Sequence, residues 1–211
     1  MNPLSPFQFS SRIPLLILPV LVATFSIAQN LVPNHSFENF TGSCSFSAGS
    51  ASQCNSWNNV NASPDYFHSA FCGTGLNFST PTNYAGTQIP PDGNGYIALV
   101  AWHANIYNEV LGAPLTNALV PGEWYDVSMK VSLTDISNNA SNNLGVLFST
   151  NSTTPTGINF AHVYSSAVIT DYQNWTVISG SFQAAYTYIF IGNFFDNANT
   201  STLPVATGGV V

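Results

Sequence analysis

The side chains able to do chemistry in this 211-residue sequence are few and dispersed. Nine acids (Glu38, Asp65, Asp92, Glu109, Glu123, Asp126, Asp135, Asp171 and Asp196) fall mostly at turns or strand ends. Glycoside hydrolysis needs two opposed carboxylates at a defined separation, and the spacing along the chain singles out no such pair. No Gly-x-Ser-x-Gly elbow occurs, and the four histidines stand apart rather than at zinc-ligand spacing. Nothing assembles a nucleophile with a base, so the reading is a non-catalytic protein. Cys44, Cys54 and Cys72 form no Cys-x-x-Cys pair, and an odd count permits one bridge and one leftover thiol. The aromatics are the better candidates. Trp102, His103 and Tyr107, with Asn105 between them, cluster where one strand ends and the next begins, and Tyr84 sits in a segment rich in Gly and Asn. Exposed rings stack on sugar faces while Asn, His and Glu bind hydroxyls. Rings of this kind also fill sandwich cores, and the sequence leaves both readings open.

Charge narrows the partners. Two Lys+Arg stand against nine Asp+Glu, a net charge of −7. A phosphate-binding surface needs clustered cations, which excludes nucleic acid and anionic membrane surfaces. Residues 1–12 are polar with Arg12 as their only charge, Ile13–Ile27 is largely apolar, and Ser26-Ile27-Ala28 offers the small residues of a cleavage site. The expectation is a signal peptide over residues 1–28, with no membrane insertion after cleavage, because Pro14 and Pro19 interrupt a run shorter than the ~20 residues of a spanning helix. Removing Arg12 leaves Lys130 against nine acids, taking the charge from −7 to −8.

The elements that must position these residues have a period of two. In Glu123–Thr134, Tyr125, Val127, Met129, Val131 and Leu133 alternate with Asp126, Ser128, Lys130, Ser132 and Thr134, the pattern of a half-buried antiparallel strand. Further strands are expected at Asn94–Trp102, Asn143–Ser149, Asn174–Phe182 and Tyr186–Phe195. The last is apolar on both faces and therefore central in a sheet. Turn clusters rich in Asn, Gly and Pro separate them, and no amphipathic helix is visible. The fold class is all-β, a two-sheet antiparallel β-sandwich in one domain, residues 29–211.

The stretch Asn30–Phe40 (NLVPNHSFENF) resembles the opening strand of galactose-binding-like jelly rolls, which include carbohydrate-binding modules of secreted glycosidases. A series in order (Cys44, Trp57, Ser63–Phe67, Cys72, Gly93–Tyr96, Asn174-Trp175, Ser179–Phe182, Ile191–Phe194 with Asp196 and Asn197) is similar to N-terminal domains of cell-surface proteins of the Bacteroidota. The resemblance implies secretion or display at the cell surface and a glycan or cell-surface polysaccharide as partner. The alternative it implies is a structural or adhesive display domain without sugar binding. It also implies a Cys44–Cys72 disulfide, a core Trp57, and a structural calcium held by Glu38 with Asn34, since calcium takes six to eight oxygens. Such domains close with a strand bearing paired acids. The expectation here is a jelly roll that stops before that strand, with C-terminal domains possible in a full-length protein.

Non-reducing peptide mapping is expected to recover a Cys44–Cys72 cross-linked peptide and an alkylatable Cys54 after unfolding. A Cys44–Cys54 peptide would show that the resemblance does not carry to the cysteines.

Overall fold

The computed structural model describes residues 29–104, 108–153, 157–183 and 185–205; the leader expected over 1–28 and the candidate Tyr107 lie outside them. Among the described residues the regular elements are strands joined by long irregular connections, with one 3-10 turn at Ser50–Gln53 and no helix able to cross a membrane. The main sheet has five antiparallel strands. Their spatial order is β1 (Asn58–Asn61), β6 (Val110–Pro114), β12 (Tyr188–Asn193), β9 (Leu144–Ser149) and β10 (Val163–Tyr164). Strand β12 lies at the centre, paired with β6 on one side and β9 on the other. Its two apolar faces have separate uses. Ile189 enters the main core with Trp57, Phe67, Leu111 and Phe148, while Phe190 packs on the opposite side with Val110, Leu147, Ala161 and Phe194. Each large side chain so buried contributes about 1.5–3 kcal/mol.

The second layer is split. One ribbon joins β2 (Asp65–His68) to β5 (Gly95–Ala98); the other joins β7 (Trp124–Val131) to β11 (Thr176–Gln183) in an eight-pair antiparallel register. Beside them a short hairpin, β3 (Thr82–Asn83) with β4 (Gly86–Thr87), ties the ribbons together at one end. Asp135 N–H donates to the Ala85 carbonyl (3.0 Å), Thr87 N–H donates to Asp135 Oδ2 (2.9 Å), and Gln88 Nε2 donates to Ser132 Oγ (2.7 Å). The pair β8 (Asn139–Ser141) and β13 (Thr202–Pro204) completes the set. Because the ribbons do not pair with each other, Tyr125, Val127, Met129 and Val131 are only half-buried on their inward face, although their alternation is that of a core strand.

Three expectations shift. The strand expected over Asn94–Trp102 ends at Ala98, because Val100 turns to exchange hydrogen bonds with Glu109 through its N–H (2.8 Å to Oε2) and its carbonyl (2.8 Å from Glu109 N–H). The one over Glu123–Thr134 ends at Val131, and Leu133 N–H bonds instead to the Asp171 carbonyl. The opening stretch is not a strand but a turn, with Asn34 and Phe37 at positive φ (43° and 61°) and a single bridge, Phe40 to Cys54. Asn34 explains it. Its Nδ2 donates to the Asn39 and Asn55 carbonyls and to Cys54 Sγ, and its Oδ1 accepts from Asn39 N–H, a local network that competes with extended pairing. Cys44 and Cys72 are bonded with Cα atoms 5.4 Å apart. Cys54 is free and buried, and burial pushes its thiol up to about 12.

His162 makes the fold sensitive to acid. Its Nδ1 accepts the Phe148 N–H (3.1 Å), and its ring lies among Phe148, Phe160, Phe182 and Tyr186. Burial lowers its pKa from 6.5, so the folded state holds the neutral ring. A depressed histidine contributes full stability above the unfolded value and loses it as pH falls below 6.5. Urea titrations between pH 8 and pH 5 are expected to show falling stability on the acid side, and His162→Phe is expected to flatten that slope while costing about 1–3 kcal/mol for the unpaired Phe148 N–H.

Candidate functional site

The β2–β5 pairing sets Asp65 opposite Ala98, and the turn after β5 brings Val100 and Trp102 back toward Glu109, at the foot of β6. Two carboxylates 44 positions apart in sequence thereby line one cavity of about 230 Å3, together with Tyr84 and Trp102. Each carboxylate also fastens a loop. Asp65 Oδ1 accepts the Gly49 N–H (2.6 Å) and Oδ2 the Tyr84 hydroxyl. Glu109 Oε1 accepts from Ser63 N–H and Oγ (3.2 and 3.3 Å), and Oε2 from Val100 N–H.

Electrostatics follow from this packing. Burial pushes the Glu109 pKa up, and the neighbouring Asp65 charge adds to the effect against the hydrogen bonds that lower it. Tyr84 is half-buried against Phe67 and Phe78, with ring centroids 5.5 and 5.2 Å away. Burial, and then its bond to Asp65, raise its pKa, so the phenol stays a donor. Trp102 is half-buried, and its indole N–H is shielded from solvent with no acceptor. A buried donor left unpaired costs about 1–3 kcal/mol, so a hydroxyl oxygen reaching it would recover that cost. The cavity thus has an aromatic wall and two carboxylates whose four oxygens already accept hydrogen bonds, with the unpaired indole N–H shielded behind it.

The structure brings Trp102 and Tyr84 to one cavity and leaves His103 half-buried on the same loop as Trp102. Glu38 and Asn34 lie elsewhere and serve the backbone. Glu38 Oε1 accepts the N–H groups of Asn94 (2.6 Å) and Gly95 (3.1 Å), and Oε2 accepts Asn94 Nδ2 (2.8 Å) with His68 Nε2 3.8 Å away. Gly93, at φ 68°, is required there, since a Cβ would collide with the Glu38 carboxylate. Among the described residues no three His, Cys, Asp or Glu gather as metal ligands. Sequence reasoning counted Asp65 and Glu109 among the nine acids but did not single them out, because their distance along the chain gives no spacing signal. Compared with known proteins, the chain matches no family model, no curated protein and no solved structure.

Glu38→Ala removes the acceptor of two backbone N–H groups. The expected loss is about 1–3 kcal/mol in urea unfolding at pH 7. Burial alone would raise the Glu38 pKa, but the bonds from Asn94 and Gly95 hold it below 4.5. Its contribution is therefore present above 4.5 and lost as pH falls through the folded value, so wild type and variant are expected to converge in strong acid.

Proposed function

We propose that this chain is an exported, non-catalytic carbohydrate-binding module whose sugar site is the small cavity bordered by Trp102, Tyr84, Asp65 and Glu109. The convergence of two stacking-type rings, a buried indole N–H without an acceptor and two carboxylates supports it. Sugar sites pair an apolar ring face with a few placed polar groups. The absence of catalysis is supported by the employment of both carboxylates: all four of their oxygens accept hydrogen bonds that hold loops in place. Export is supported by the Cys44–Cys72 disulfide, a bond that persists in oxidising compartments. His103 and Tyr107 extend the reading as flanking contacts. A structural calcium at Glu38, with Asn34 nearby in sequence, rests on the resemblance. It would use Oε2, displacing the Asn94 amide, and would raise the melting temperature in a manner abolished by Glu38→Gln.

A second reading, a structural or adhesive display domain, is favoured by a different surface. Trp124 is 69% exposed and Val177 58% exposed, on the outward side of the β7–β11 ribbon. Glycan-array retention separates the two. Trp102→Ala is expected to reduce retention at least tenfold with the β-type circular dichroism unchanged, and Tyr84→Phe to reduce it less, while Trp124→Ala leaves it intact. Retention lost with Trp124→Ala and kept with Trp102→Ala would move the site to the outer face. No retention of any glycan by the wild-type chain would favour the display domain.

A further inference from the structure

A second cavity, far larger than the sugar site proposed above, lies in the split of the second layer. Its volume is about 850 Å3. All four residues of β5 border it, as do the residues of β7 from Tyr125 to Val131. Each of these strands is paired on one side only, β5 with β2 and β7 with β11. In an antiparallel pair half of each strand's N–H and C=O groups point away from the partner, so the free edge of β7 and that of β5, apart from the Gly95 N–H held by Glu38, border the same cleft. The floor is apolar: Leu111, Val146, Phe148 and Ile189 reach it from the five-stranded sheet.

These walls select a chemistry. A hydrocarbon ligand would cover the floor but leave both backbone edges unpaired, and buried peptide groups are costly without partners. A β-strand satisfies both edges and places alternate side chains on the floor, the arrangement of recognition by strand addition. The eight residues of β7 give an edge roughly 27 Å long at 3.4 Å per residue. Charge then chooses the source. Asp92, with His35 4.0 Å away, and Asp135 border the cleft, while Asp126 and Lys130 stand on the outward side of β7. A second copy of this chain, with two Lys+Arg and nine acids in all, would bring further negative charge to that rim. We propose that the cleft receives a β-strand of a different polypeptide, apolar at alternate positions and basic at its ends, which joins the β2–β5 and β7–β11 ribbons into one sheet.

The test uses the chain with the synthetic peptide Lys-Val-Thr-Val-Thr-Val-Lys, its Glu-ended counterpart, and a version with the central Val replaced by Pro. The basic peptide is expected to slow amide exchange at least tenfold in Gly95–Ala98 and Trp124–Val131, and to bind at least tenfold more tightly than the Glu-ended peptide. The Pro peptide is expected to give no protection. Equal binding of the acidic peptide, or no protection by any, overturns the proposal. So does protection already present in a free chain that sediments as a dimer, which would make the occupant a second copy. Protection present in a monomer and lost on removing residues 206–211 would assign the cleft to the chain's own terminus, and also overturns it.

Discussion

Irregular backbone must find hydrogen-bond partners, and this chain has almost no cations with which to engage its acids. The two facts meet in one device: a carboxylate that accepts N–H groups from a distant or neighbouring loop. Glu38 holds Asn94 and Gly95, Asp65 holds Gly49, Glu109 holds Ser63 and Val100, and Asp135 holds Thr87. Asp171 and Asp196 do the same within their own turns, accepting from Gln173 and Asn174 and from Asn199. A carboxylate accepting backbone N–H groups forms charge-assisted bonds, shorter and stronger than neutral ones. Among the described residues the long connections between strands therefore close on carboxylate–N–H bonds, with histidine as the cation beside Glu38 and Asp92. The asparagines serve where no carboxylate stands, as Asn34 does between Asn39 and Asn55.

The same anchors decide the shape of the second layer. Glu38 fixes the turn that starts β5, and Glu109 fixes the turn that ends it, which limits β5 to four residues beside an eight-residue β7. Asp135 ties the β3–β4 hairpin to the end of β7 and so joins the ribbons at one end only. Away from that tie they are connected by side chains, such as the edge contact of Tyr96 and Trp175, 5.9 Å between ring centroids. The main sheet needs no such help, since β12 is paired along both edges and buried on both faces.

What could be read from the sequence was what depends on local periodicity. The alternation in β7 and the two-faced apolar run of β12 follow from side-chain patterns within a few residues, whereas the core place of Trp57 was an implication of the resemblance alone. What could not be read depends on long-range pairing. Strands β5 and β7 end where they do because Glu109 and Asp171 supply partners from elsewhere, and nothing near Val100 or Leu133 announces this. The opening stretch is a turn rather than the expected strand because the local hydrogen bonds of one side chain, Asn34, win over the ladder. In the candidate site, Trp102 and Tyr84 stood out by residue type, whereas Asp65 and Glu109 came to the cavity through the topology alone.

The scarcity of cations also constrains what either cavity can hold. With Lys130 the only lysine or arginine beyond Arg12, an anionic ligand would meet carboxylates at both proposed sites: Asp65 and Glu109 in the small cavity, Asp92 and Asp135 at the cleft. Like charges brought together in a partly desolvated pocket repel strongly, so acidic sugars and acidic peptides would be disfavoured at the proposed sites. The buried Trp102 N–H calls for a neutral oxygen, and the unpaired edges of β5 and β7 call for peptide groups. On the two proposals, each cavity would select by hydrogen-bond complement and disfavour by charge, so the shortage of lysine and arginine that shapes the loops would also narrow the partners.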